Sequence, residues 1–232
     1  MLGEENVNSV ENASFTRLNG IVSKKYGNLP FPLLSKGSKA VMFKKACEMC
    51  KDDLSLFTKN INNTAFINSA VKIYDEMKSC RVSAADIMDA SDNTDKPILS
   101  QKLHDISVIT SAYDELIKDK YIDSAEELTY LYKRLCELDY FTNRTVYIDG
   151  FNGFVAQEYK IIEVILKQAK DVYITFCTDS YMNDDKYDLF SYVNSNVSIL
   201  LDVAKKEGVE TAIPVFLSKN YRAQNDELLC LE

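Results

Sequence analysis

Tight turns consume glycine and proline, and this chain has seven of the first and four of the second in 232 residues. That scarcity argues against an all-β sandwich or barrel, in which many short strands must each be reversed. Apolar residues instead return at every third and fourth position, the period of a helix with one buried face. Residues 14–26 read as a short helix, and GNLPFPLL (27–34), with Gly27, Pro30 and Pro32, reads as a linker. The run from Lys39 through AVMFKKACEMCKDDLSLF and the stretch Ala65–Met77 predict two more helices. Ser83, with Asp86 three residues on, marks the start of another. After the polar ASDNTDKP (90–97), Leu99, Leu103, Ile106, Ile109, Tyr113 and Leu116 share one face of 98–118. Ser124–Leu138 repeats the pattern, which predicts an antiparallel helical pair.

After Asp139 the texture changes. TVYIDGF (145–151) and DVYITFC (171–177) are short β-branched and aromatic runs, and the segment between them, Val155–Ala169, is amphipathic. Strand, helix, strand is the direct reading, and the connection is long enough for a crossover between parallel strands. A further helix (189–206) leads past Gly208, placed as a C-terminal cap, to a third strand at TAIPVFL (211–217). The expected class is therefore α/β and mainly helical. A helical block, 37–140, is set into a partly parallel α/β domain made of 1–36 and 141–232.

With 46% hydrophobic residues the chain can bury a sizeable core, and 35 Asp+Glu against 27 Lys+Arg give a net charge of −8. Such a balance disfavours strong electrostatic grip on nucleic acid, and Lys24-Lys25, Lys44-Lys45 and Lys205-Lys206 read as solvated helix faces. No run approaches the roughly 20 apolar residues of a membrane span, and the start is acidic where a signal peptide is basic then apolar, so a cytoplasmic protein is expected. Six cysteines include one CxxC, Cys47–Cys50, with no second pair; His104, the single histidine, cannot complete a mixed metal sphere. Reduced cysteines, partly in the core, and a satisfied or surface histidine are expected.

The informative stretch is Val146–Phe154, VYIDGFNGF. A carboxylate at the C-terminal end of a buried parallel strand, here Asp149, sits where ligands bind in open α/β sheets. Nucleotide hydrolases add an acidic neighbour to order water and a GxxxxGK[ST] loop for phosphates. Here Gly150 follows the Asp and no such loop occurs in the sequence. On residues alone Asp149 is either a turn or capping group or a site, active or vestigial.

SFTRL (14–18), IDGFNGFVAQE (148–158), the strand ending in CTD (177–179) and the closing NYRAQNDELLCLE (220–232) occur in order along the chain. Together they resemble the AddB-type subunit of bacterial ATP-dependent helicase/deoxyribonucleases, which process double-strand DNA breaks for homologous recombination. The resemblance implies a partial, P-loop helicase-like domain with an inserted helical subdomain. Asp149 then matches the Walker B aspartate and Gly150 the glutamate required for hydrolysis, so the domain is an inactivated helicase that scaffolds the complex. Phe15 and Arg17, with Phe151, would contact single-stranded DNA: an aromatic face for a base, a cation for a phosphate. Gly20, where the family often carries a bulky side chain, departs from the pattern. The implied partners are DNA and an AddA-type helicase-nuclease subunit. ATP, magnesium and an iron–sulfur cluster belong to the larger parent, the cluster to a nuclease domain outside this sequence, so no cofactor and no catalytic residue is expected within it.

Two further readings compete. Asp149, Glu158 and Asp179 could hold magnesium for a phosphohydrolase, or the helical block could act purely as a protein-docking surface, with exposed apolar patches.

Overall fold

The computed structural model describes residues 10–179 and 187–217. Cys230 and the closing motif at 220–232 lie outside the described residues. The elements run α1 (Phe15–Tyr26), α2 (Lys36–Met49), α3 (Thr64–Ser79), α4 (Ala84–Asp92), α5 (Pro97–Ile117), α6 (Glu127–Glu137), β1 (Thr145–Ile148), α7 (Ala156–Gln168), β2 (Asp171–Ile174) and α8 (Ser191–Lys206). The molecule is mainly helical with one two-stranded parallel sheet among the described residues.

Local chemistry sets most boundaries. Ser14, Ser35, Asn63 and Ser83 each accept a backbone N–H at a helix start, and at α4 Asp86 returns the bond to Ser83 N (2.7 Å), a reciprocal capping box. Pro97 opens α5, where its missing N–H costs nothing. The helix expected to run from Lys39 to Phe57 instead stops at Met49 and passes into a single 3-10 turn, Lys51–Asp53.

Two apolar clusters divide the helices. Phe43, Tyr74, Ile109, Tyr113 and Ile117 bring α2, α3 and α5 together, and α4 lies against α5. Val22, Leu131, Leu135, Ile148, Phe154, Ile161, Ile162 and Leu200 join α1, α6, β1, α7 and α8. The helical pair expected from 98–118 and 124–138 is thus replaced: α5 packs on α4 and α2, while α6 packs on α7 and α1. Both stripes have helical period, but each finds its apolar partner in a different cluster. The stretch read as a linker is tied down, because Leu34 N donates to Ile122 O and Ile122 N to Pro32 O, both at 2.9 Å.

The strands pair in register, Tyr147 opposite Tyr173 and Ile148 opposite Ile174. Val146, Ile148, Val172 and Ile174 pack into the cluster that holds α7. On the other face Tyr147 and Tyr173 stack at 5.1 Å in the open. The third strand expected at 211–217 is not formed: the segment makes no ladder, and Ile213, Val215 and Leu217 are exposed. Alternation alone leaves backbone groups to water when no strand edge lies beside them. Among the described residues no helix is long and apolar enough to cross a membrane.

Candidate functional site

Asp149 follows the last residue of β1, at the C-terminal end of the parallel pair. Its carboxylate is exposed and accepts a hydrogen bond from the hydroxyl of Thr175, just past the end of β2. Thr175 N donates to Ile148 O (3.0 Å), which carries the ladder one step further and holds the two strand ends together. Gly150 has φ +81°, in the left-handed region that side-chain-bearing residues rarely adopt, and a Cβ there would meet nothing within 4 Å. The glycine that stands where hydrolases keep a glutamate therefore has a backbone reason of its own.

Three residues on, the constraint is space. A Cβ on Gly153 would lie 2.7 Å from Asn196 Nδ2 and 2.7 Å from the Tyr192 hydroxyl, so α8 seals this loop. Asn196 is the pin: its Oδ1 accepts from Phe154 N (3.1 Å) and from the Tyr159 hydroxyl, and its Nδ2 donates to Tyr192 O (2.7 Å). Sequence reasoning missed Asn196, which appears there only as one more polar residue of an amphipathic helix.

This loop meets the start of α1. The Phe15 ring stands edge-on to Phe151 (5.6 Å between centroids) and Phe154 (6.2 Å), and Phe151 lies 5.1 Å from Phe154. Phe154 is buried, whereas Phe15 and Phe151 are half-buried. Arg17 is exposed on the first turn of α1, where its backbone N–H goes to the Ser14 hydroxyl (3.2 Å). Among the described residues its guanidinium makes no hydrogen bond or ion pair. The fold thus brings Phe15 and Phe151, 136 positions apart, into one aromatic group next to the end of β1, and the Arg17 cation, unpaired among the described residues, stands on the same first turn of α1 as Phe15.

The other expected groups do not converge. Glu158 turns back on its own helix, accepting Val155 N at 3.0 Å as the first-turn acid of α7. No group of three His, Cys, Asp or Glu residues that could hold a metal ion occurs among the described residues, which leaves the Asp149–Glu158–Asp179 cluster without geometric support. Cys47 and Cys50 are buried in the core of the helical block, and burial pushes the Cys47 thiol up to about 12. His104 is half-exposed, its Nδ1 3.4 Å from Asp105 Oδ1.

Comparison with known proteins supplies the family. The family model described as "ADDB, N-terminal" matches residues 1–232. The B subunit of the ATP-dependent helicase/deoxyribonuclease of Ruminiclostridium cellulolyticum is 30% identical over 222 residues, 94% of this chain and 19% of that protein. The proteins of the same name from Clostridioides difficile and Acetivibrio thermocellus are 31% and 28% identical, over 85% and 100% of this chain and 17% and 21% of theirs. The chain spans about a fifth of the length of the curated relatives it matches. With the match running from its first residue to its last, across the strand-end aspartate, the glycine after it and the aromatic rim, the chain belongs to the ADDB N-terminal family.

Proposed function

We propose that this chain is the helicase-like portion of an AddB-type subunit, within a helicase-nuclease that resects double-strand DNA breaks, and that it supports and contacts DNA without hydrolysing ATP. The observation that carries the reading is the contact of Phe15 with Phe151 just past the C-terminal end of β1, with Arg17, which pairs with none of the described residues, exposed on the same first turn of α1. Half-exposed aromatic faces and a nearby cation are what a single strand needs, since any base has a π-face to stack and any nucleotide a phosphate to neutralise. Asp149 and Gly150 stand as a degenerate Walker B pair, with the aspartate occupied by Thr175 and no carboxylate beside it to order water. In this reading 1–36 and 141–232 form the partial helicase-like α/β domain, and 37–140 is a helical insertion whose end, α6, packs on the α/β cluster. Exposed Val41, Met49 and Ile98 on the insertion suit contact with a partner of AddA type.

The test is the full-length protein assembled with its partner. Phe15→Ala/Arg17→Ala is expected to weaken single-stranded DNA binding about tenfold or more in fluorescence anisotropy, as loss of one stack and one phosphate contact implies, with assembly of the complex unchanged by size-exclusion chromatography. Unchanged affinity refutes the DNA contact. ATP turnover by the purified 232-residue chain, lost on Asp149→Ala, refutes the inactive-helicase reading.

A further inference from the structure

In VAQE (155–158) the glutamate caps its own helix, and the glutamine before it has a different task. Gln157 is 5% exposed, and the other buried residues of α7 are Ile161, Ile162, Val164 and Ile165. An aliphatic side chain would fill that place with no polar atom to satisfy, so an amide there is accounted for by the bonds it makes. Its Nε2 donates to Ala125 O (2.8 Å) and to Thr129 Oγ1 (3.0 Å), and the backbone carbonyl, which only accepts, fixes which way the amide is turned.

Both acceptors belong to the start of α6. α1 reaches the same place, where Asn19 Nδ2 donates to Glu127 Oε1 at 2.8 Å. Asn19 lies one turn after Phe15 on α1, and Gln157 stands on the first turn of α7, directly after the loop that carries Phe151. The two rings that meet at 5.6 Å therefore ride on elements that are each pinned by an amide to a common support. That support is firm: Asp123 accepts from Ala125 N (2.8 Å) and from the buried Lys39 (2.5 Å), and Lys78 pairs with Glu126 at 2.9 Å. Asn196 holds the loop against α8, whereas Gln157 sets it against α6 and so against α1.

We propose that Gln157 is a positioning residue for the aromatic contact: it fixes where the Phe151 loop stands relative to Phe15, and with it the spacing of the two rings offered to a single strand of DNA. The inference rests on the DNA-contact reading above and names a buried residue that acts on that contact without touching the strand.

The experiment is a double-mutant cycle in the full-length protein assembled with its partner, read as single-stranded DNA affinity in fluorescence anisotropy. Gln157→Met keeps the length of the side chain and loses both donors. It is expected to weaken binding about fivefold in the parent, and to have no further effect in the Phe15→Ala/Arg17→Ala background, where no contact is left to position. A residue that only holds the fold together would lower affinity by the same factor in both backgrounds. Thr129→Val removes one of the two bonds and keeps the shape of the residue; it is expected to give about a twofold loss with the same dependence, and it decides the matter if Gln157→Met does not assemble. Unchanged affinity in the parent, or an equal loss in both backgrounds, overturns the role of Gln157 while the effect of Phe15→Ala/Arg17→Ala stands. If Phe15→Ala/Arg17→Ala itself leaves affinity unchanged, the DNA contact falls and this inference falls with it.

Discussion

The same residue type is used in opposite ways in the two halves of the molecule. In the helical block Tyr74 and Tyr113 are fully buried against Phe43, with ring centroids 5.3 and 4.0 Å from it. Their hydroxyls donate to Asp114 (2.5 Å) and to Asp123, and burial first, then those carboxylates, pushes both phenols well above their ordinary range. Around them Lys39 pairs with Asp75 and Asp123 (2.5 Å each), and Lys78 with Asp114 (3.1 Å) and Glu126 (2.9 Å). In the α/β part Tyr147 and Tyr173 lie 72% and 53% exposed on a sheet face, and Phe15 and Phe151 sit half-open at its rim. The block spends this aromatic and charged network on itself. In the α/β part Tyr147 and Tyr173 are left at the surface, and Phe15 and Phe151 partly so, where a ligand or another protein layer can use them.

The largest effect should come from breaking the block's buried network. Asp123→Ala removes the fully buried carboxylate that takes Lys39 Nζ, the Tyr113 hydroxyl and Ala125 N (2.8 Å). Leaving a buried ammonium short of a partner costs about 3–5 kcal/mol, read as a lowered midpoint in urea unfolding of the chain. A loss below about 1 kcal/mol would erase the contrast between the halves.

Asp105 comes next. Its carboxylate, buried on α5, accepts the consecutive N–H groups of Ser55 (2.9 Å), Leu56 (2.8 Å) and Phe57 (2.8 Å). Burial raises its pKa, but those three donors outweigh it, and the group lies below its usual 3.8. The unfolded chain then binds the proton more readily, so this stabilisation is complete above the ordinary value and is lost as pH falls through the folded one. Asp105→Asn is expected to cost about 2 kcal/mol at neutral pH, on the scale of lost charge-assisted bonds, and to flatten the fall of stability below pH 3.8. A variant as acid-sensitive as the parent would remove Asp105 from this role.

On the α/β side the sharpest local test separates two glycines. Gly153→Ala puts a methyl where Asn196 and Tyr192 already stand, and overpacking of this kind costs about 1–3 kcal/mol. Gly150→Ala meets no atom and pays only the left-handed backbone, about 1–2 kcal/mol. Thermal unfolding of the pair ranks them. If Gly153→Ala proves neutral, the seal of α8 on the loop is looser than the distances require.

What can be read from residues alone follows the range of the forces involved. β1, α7 and β2 are legible because the period changes from two to 3.6 and back within about thirty residues, and the start of α4 because Ser83 and Asp86 answer each other locally. The partner choice of α5 and α6 is not, since their stripes have one period and differ only in which cluster admits them. Asp105 looks like one more charge on an amphipathic helix, because its three donors come from 48 to 50 positions upstream. At the candidate site Phe15, Arg17, Asp149 and Phe151 are each picked out by motif, but the contact of Phe15 with Phe151 is tertiary. The φ of Gly150, which gives that glycine a second cause, leaves no trace in sequence.

The smallest effect on folding belongs to Arg17, and that makes it the cleanest probe of the open half. The side chain is exposed and makes no bond to the described fold, so Arg17→Gln should change stability by less than about 0.5 kcal/mol. If it contacts a phosphate, binding of single-stranded DNA by the full assembly loses one released counterion. The slope of log affinity against log salt then falls by about 0.7 in magnitude. Loss of affinity with an unchanged slope would mean that Arg17 acts on a base or through Phe15, and no change in either would place the DNA elsewhere. Asp123→Ala should show the inverse pattern, a large fall in stability with the salt slope intact wherever the chain stays folded, because the buried network faces no ligand. A molecule in which one half can be broken without touching DNA, and the other can lose DNA without weakening, is what the two uses of its aromatic and charged residues require.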